Sequence, residues 1–213
     1  MQLFQSRQGS IVIRNLVKTI QENTAYLSEL DGAIGDGDHG INMSKGFGLA
    51  LERLDAQADL SSGLDMLGNI LLTEIGGAMG PLYGTLFAEM AAVCRGKETI
   101  DAPTFAAMLN AGLRGVQDLG DAQVGDKTLI DTLVPADASY AAALAEGATF
   151  ANALKRMAQA AEAGKESTRM LIAKIGRASR LGERSRGHLD AGATSCFLIL
   201  DSLATSMIAL LND

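Results

Sequence analysis

The chain has 213 residues, 47% hydrophobic and 20% charged, a balance that excludes intrinsic disorder and provides enough mass to bury a full core. Its net charge of −7, with no basic stripe, argues against nucleic acid as a partner. Two cysteines, Cys94 and Cys196, fit buried thiols of a reduced cytoplasmic protein, and the N-terminus lacks the charged-then-apolar layout of a signal peptide.

Periodicity reads as helix almost throughout, in one domain spanning 1–213. Ser10 caps a first helix with Ile13, Leu16, Val17, Ile20, Leu27 and Leu30 on one face. A second runs from about Asn42, with Met43, Phe47, Ala50, Leu51 and Leu54 inward. Ser61 or Ser62 starts a third, bearing Leu64, Leu67, Leu71, Leu72 and Ile75, which Gly76 and Gly77 stop. A fourth follows Pro81 to about Arg95. Asp101, with Pro103 in the first turn, opens a fifth that aligns Met108, Leu109, Leu113 and Val116. Helices near 128–144, 149–176 and 191–211 complete the set, and convincing strand alternation is absent. The last helix is apolar but carries Asp201 and several Ser and Thr, so it reads as a buried helix and not a membrane span.

The densest chemistry lies between the first two helices. Asp31, Asp36, Asp38 and His39 fall within nine residues, with glycines at 32, 35, 37 and 40. Three carboxylates so close repel one another unless a cation sits among them, and an all-oxygen ligand set suits magnesium or calcium over zinc or copper. Common motifs fail here. An EF-hand loop starting at Asp36 would need an oxygen ligand and a Glu where the chain has Gly40 and Phe47. Gly35, Gly37 and Gly40 match GxGxxG, but no strand precedes them. Gly120 through Thr128 resembles a P-loop with an extra Asp before Lys127, again without a strand.

Three further loops are rich in glycine. Gly76 to Thr85 offers bare amides beside a helix start, a ready site for phosphate oxygens. Gly125 to Thr128 brings a lysine and a hydroxyl suited to the same work. Gly176 to Gly192 concentrates Arg177, Arg180, Arg184 and Arg186 in an acidic chain, together with His188.

The spaced aspartates with His39, Gly40 and Asn42, the GGAMGPLYGT run from Gly76, the GDKT run from Gly125 and the GRASRLGERSRGHLD run from Gly176 resemble the L subunit of dihydroxyacetone kinases. The matches keep their order across nearly the whole chain. The resemblance implies an all-α fold, an eight-helix antiparallel up-and-down barrel with a nucleotide site at one end. It implies that Asp31, Asp36 and Asp38 hold two magnesium ions bridging to the phosphates of ADP or ATP. His39, Gly40, Ile41 and Asn42 would lie beside the phosphates with Ala78 and Met79. Thr128 would support the phosphate end, Gly120 and Leu129 would line base and ribose, and Arg177 with Asp190, Ala191 and Gly192 would close the pocket. His39 is the one candidate for a catalytic role, the alternative being an orienting partner of the metal site.

The implied chemistry is phosphoryl transfer by positioning and charge neutralisation. In the family's phosphotransferase form an M subunit recharges bound ADP and the phosphoryl group passes to dihydroxyacetone on a K subunit; the alternative is the family's ATP-dependent form, in which ATP exchanges. Homodimers and contact with a transcription regulator are further expectations, and other small keto-sugars stay open as substrates. Two positions depart from the family: Met79 stands where many relatives carry a hydroxyl, and Ala191 where many carry proline, leaving that turn less preorganised. Arg184 and Arg186 are expected to help dock the K subunit. A different magnesium enzyme on an all-α scaffold, such as an isoprenoid synthase, should show a second acidic motif on a facing helix, which this sequence lacks.

Overall fold

The computed structural model describes residues 2–211, and nine α-helices and one two-stranded ribbon form among them. In chain order they are β1 (Leu3–Gln5), α1 (Gly9–Glu22), α2 (Thr24–Ile34), α3 (His39–Arg53), α4 (Leu60–Glu74), α5 (Met79–Cys94), β2 (Thr99–Asp101), α6 (Ala102–Asp118), α7 (Ile130–Ala145), α8 (Phe150–Ser167) and α9 (Ala191–Leu210). Aspartate or threonine side chains start four of the helices. Asp59, Asp101, Thr149 and Asp190 each accept a hydrogen bond from a backbone N–H in the first turn of α4, α6, α8 and α9.

The fold is all-α, as expected, with four local differences. The first expected helix is two, α1 and α2, broken at Asn23. There the Asn23 side chain donates to the Thr19 carbonyl and the Thr24 hydroxyl to the Gln21 carbonyl, so side chains compete for the backbone partners that a continuous helix needs. Ser10 lies inside α1 and donates to the Ala56 carbonyl instead of capping. The expected helix 149–176 ends at Ser167, because the carbonyls beyond it are drawn to other partners described below. The fourth difference is the ribbon. β1 and β2 pair antiparallel, Phe4 opposite Ile100, and both side chains are fully buried. Three-residue strands are too short for an alternating pattern to show in sequence.

Eight of the helices close a ring. α1, α3, α4, α5, α6, α7, α8 and α9 pack each on the next, and α9 returns onto α1. Side-chain partners fix antiparallel directions. Asn15 and Thr19 of α1 meet Ser206 and Ser202 of α9. Ser61 and Gly68 of α4 meet Ala91 and Gly84 of α5. α2 continues beyond α1 and packs on α3 and α9. One contiguous apolar core fills the ring, with Phe47 edge-on to Phe87 at 6.0 Å and Phe105 edge-on to Tyr140 at 5.2 Å. α9 is long and apolar enough to cross a membrane, yet Cys196, Ile199, Leu200, Leu203 and Met207 on it belong to that core. Both cysteines are buried free thiols.

In an up-and-down ring every second connection falls at the same end. The loops before α3, α5, α7 and α9 therefore lie together, and they are the glycine-rich segments of the sequence. At the crossing of α2 and α3, Gly40 lets the helices touch: a Cβ there would overlap the Thr24 carbonyl oxygen and crowd Ser28. Gly40→Ala is expected to push α3 away from α2 and to cost about 1–3 kcal/mol, the usual range for overpacking. Urea unfolding measures this, and an unchanged midpoint would contradict the close approach.

Candidate functional site

Asp31 sits in the last turn of α2, Asp36 in the tight loop after it, and Asp38 immediately before α3. Gly37 makes the turn with φ of +79°, a conformation that costs other residues steric strain. One carboxylate oxygen from each aspartate lies within 4.8 Å of the others. Asp31 also accepts a hydrogen bond of 3.3 Å from the His39 N–H. The positive group already among them is Arg177, whose guanidinium pairs with Asp36 across the cleft. An all-oxygen cluster of three charges with one cationic partner fits a hard divalent ion.

The aspartates form one wall of a cleft of about 270 Å³. The starts of α3, α5, α7 and α9 frame the rest: His39 and Asn42, Ala78 and Met79, Thr128 and Leu129, and Asp190, Ala191 and Gly192 all line it. Four helix N-termini turned to one cavity bring the positive ends of four dipoles to it, while side chains already accept from the His39, Thr128, Ile130 and Ala193 N–H groups. An anion is what such a cavity favours. A second cleft of about 330 Å³ adjoins the first, sharing Ala78, Leu82, Thr128, Leu129 and Ile175. Its remaining wall is largely apolar, from Pro81, Val116, Leu119, Gly120 and Ala122. The combined space suits a ligand with a flat apolar end and an anionic end.

Two residues expected near the nucleotide line neither cleft. Gly40 is buried at the helix crossing, and Ile41 is 61% exposed. Asp190 has a structural task that its sequence did not announce. It caps α9 through a 2.7 Å bond from the Ala193 N–H, and burial pushes its carboxyl up to about 6 although that bond and Lys127 pull the other way. Burial likewise draws the His39 imidazole down to about 4, against the upward pull of Asp31, so the ring is neutral near pH 7. Tyr83, Asp131, Ile175 and Ser195 were missed. Tyr83 lies in the GPLYGT run, whereas the sequence around Ser195 gives no signal.

These features coincide with a known family. Residues 33–205 match the DAK2 domain. The chain belongs to the DAK2 domain family. It is 40% identical over 181 residues to the ADP-binding subunit DhaL of the PEP-dependent dihydroxyacetone kinase of Escherichia coli (strain K12), covering 84% of this chain and 86% of that one. It is 38% identical over 186 residues to the corresponding subunit of the PTS-dependent dihydroxyacetone kinase of Lactococcus lactis, covering 86% and 88%. Among solved structures it resembles the dihydroxyacetone kinase of C. freundii in complex with AMP-PNP and Mg2+, with a TM-score of 0.70 at 26% identity, covering 93% of this chain and 33% of the other.

In this DAK2 chain the GDKT loop does not do what its lysine suggested. Lys127 is fully buried and has a φ of +64°, uncommon for a residue with a side chain. Its Nζ donates to the carbonyls of Thr168, Leu171 and His188, at 2.7, 3.2 and 2.6 Å. An ammonium has three protons to give, so none is left for a phosphate. Asp131 fixes the loop from the other side, accepting from the Gly125 and Thr128 N–H groups at 2.6 and 2.7 Å. Lys127 thus clips both ends of the strap between α8 and α9, which carries Ile175, Gly176 and Arg177 over the cleft. This is why the chain leaves helix after Ser167. Ser185 adds a second tie, accepting from the Ala173 N–H at 2.9 Å. Lys127→Met is expected to speed hydrogen exchange across 169–189 far more than in α4 or α5. Equal exchange in wild type and variant would contradict the clip.

Proposed function

We propose that this chain is the nucleotide-carrying subunit of a PEP-dependent dihydroxyacetone kinase, accepting phosphoryl groups from an M subunit on ADP and delivering them to dihydroxyacetone held by a K subunit. The observation that carries this reading is the opposition of three converging aspartates to four helix N-termini in one cleft. Carboxylates and phosphates repel, and both are accommodated in one small space only with divalent ions between them. Asp31, Asp36 and Asp38 would hold two magnesium ions, which when bound neutralise the phosphates and polarise their oxygens. The relatives named as ADP-binding and the Mg2+ complex of the C. freundii enzyme support the same assignment.

The protein residues then bind and orient. The amides at Ala78 and Met79 receive phosphate oxygens at the start of α5. Met79 supplies no hydroxyl there, so the backbone bears that contact alone. Gly120, Leu129 and the apolar wall enclose the base, and Arg177 is placed to turn from Asp36 to a phosphate once metal ions fill the carboxylate cluster. The strap excludes water from the transfer site, and the turn at 190–192 closes the phosphate end. The buried free thiols Cys94 and Cys196 agree with a cytoplasmic setting.

A partner has to bring the acceptor sugar, and the arginine-rich strap reaches the cleft at Arg177. Arg186 is committed to the strap's own shape: it pairs with Glu183 at 3.1 Å and donates to the Met170 carbonyl. Arg184 is exposed and takes the docking role, chiefly through attraction during encounter.

The protein should purify with ADP and magnesium bound, detectable by acid extraction and chromatography. Asp38→Asn should abolish calorimetric Mg-ADP binding, and near-native affinity would overturn the metal site. Arg184→Ala should slow transfer to dihydroxyacetone by roughly tenfold at low salt, the scale of electrostatic steering, and leave ADP affinity unchanged. Unaltered transfer with purified M and K subunits would remove Arg184 from the docking face.

A further inference from the structure

One buried polar cluster at the cleft holds neither the aspartates nor the strap. His39 Nε2 lies 2.8 Å from Ser195 Oγ, and Ser195 Oγ lies 2.6 Å from the Tyr83 hydroxyl. Both hydroxyls also reach the Gly192 carbonyl, Ser195 at 3.1 Å and Tyr83 at 2.8 Å. Ser195 and Tyr83 are 0% and 1% exposed. The three side chains come from α3, α5 and α9, three of the four helices whose starts frame the cleft.

Counting protons shows what the cluster permits. Each hydroxyl has one proton to give, and the Gly192 carbonyl only accepts. In one arrangement Ser195 donates to Nε2, and Tyr83 donates to Ser195 or to Gly192; the ring proton is then on Nδ1. In the other, Nε2–H donates to Ser195, whose own proton turns to Gly192 or Tyr83; Nδ1 is then bare. No heavy atom moves between the two. With Nε2 taken by Ser195, Nδ1 is the ring nitrogen left for a ligand in the cleft that His39 lines. Phosphate oxygens beside divalent ions are acceptors, so a bound nucleotide selects the first arrangement.

We propose that Ser195 and Tyr83 are positioning residues which, acting through His39, present its Nδ1–H to the phosphate end of the bound nucleotide. The proposal rests on the nucleotide reading of the cleft and adds a role for two residues remote in sequence. The hydroxyl pair fixes the ring's orientation, and once the nucleotide is bound the Ser195 proton given to Nε2 leaves the ring proton on Nδ1. A chain of donors pointing the same way also strengthens each of its bonds.

A structural staple would use the same contacts, so the test separates the two. Mg-ADP and adenosine affinities are measured for the full chain carrying Ser195→Ala, Tyr83→Phe, His39→Gln and the Ser195→Ala/His39→Gln double substitution. Ser195→Ala should weaken Mg-ADP about tenfold, the scale of one hydrogen bond to a charged group. Adenosine, which has no phosphate, should bind unchanged. The double variant should bind Mg-ADP no worse than His39→Gln alone, since the serine acts through the histidine. Ring nitrogen NMR of the Mg-ADP complex should show His39 protonated at Nδ1 in wild type and shifted toward Nε2 protonation in Ser195→Ala. Additive losses in the double variant, or equal weakening of adenosine, would reduce the cluster to a staple. If Ser195→Ala does not fold, Ser195→Cys, a much weaker donor, carries the same comparison, and an unmoved tautomer there would overturn the relay; Tyr83→Phe, which leaves Ser195 able to donate to Nε2, should weaken Mg-ADP less than Ser195→Ala. Native Mg-ADP affinity in His39→Gln would remove His39 and the relay from the site, while leaving the aspartate assignment to stand or fall on Asp38→Asn.

Discussion

Three negative charges held within 4.8 Å of one another set the terms for this structure. Each pair repels by about 1 kcal/mol in bulk water, and by about 3 kcal/mol where cleft walls lower the effective dielectric constant to about 20. The chain nevertheless aims all three inward with a helix end, a glycine turn at positive φ and the start of the next helix. The arrangement becomes favourable when cations enter, and much else at this end of the ring serves the same balance. Arg177 supplies one positive group from the strap. The N-termini of α5, α7 and α9 supply partial positive charge from the other walls, which suits the cavity to an anion beside the acidic cluster.

The up-and-down ring makes this possible through its topology. Alternating direction gathers the starts of α3, α5, α7 and α9 at one end without any special device in the helices. What distinguishes this end from its opposite is the connections. The opposite end has short turns and the small β1–β2 ribbon, whereas the cleft end has the acidic turn, the glycine loop, the GDKT loop and a long strap. Lys127 holds the last two together at the cost of burying an ammonium, which three carbonyls and the neighbouring Asp131 and Asp190 offset. A loop that would otherwise lie open is thereby kept over the site, with Arg177 on it.

Local signals made the helices legible: capping residues such as Asp101, glycine stops such as Gly76, and clear 3.6-residue periodicity. The acidic cluster was legible for the same reason, since its parts are neighbours in sequence. Misreadings arose where a distant partner decides the outcome. The helix break at Asn23 and the end of α8 at Ser167 depend on bonds that periodicity does not carry. Lys127 looked like a phosphate ligand because its loop resembles one, and only the strap's carbonyls, more than 40 residues away in the chain, reveal its commitment. Ser195 lies in a smooth apolar helix, where nothing marks one hydroxyl among several, and its role emerges from contacts across 112 and 156 positions. Ile41 follows His39 and Gly40 in the motif, and α3 turns its side chain outward.

The central claim is that carboxylates and phosphates share this cleft only through divalent ions. Titrating ADP into nucleotide-stripped protein over a series of free magnesium concentrations, with adenosine as the phosphate-free control, tests it most directly. ADP affinity is expected to fall on the order of a hundredfold when magnesium is chelated, while adenosine affinity stays constant. ADP affinity independent of magnesium would contradict it.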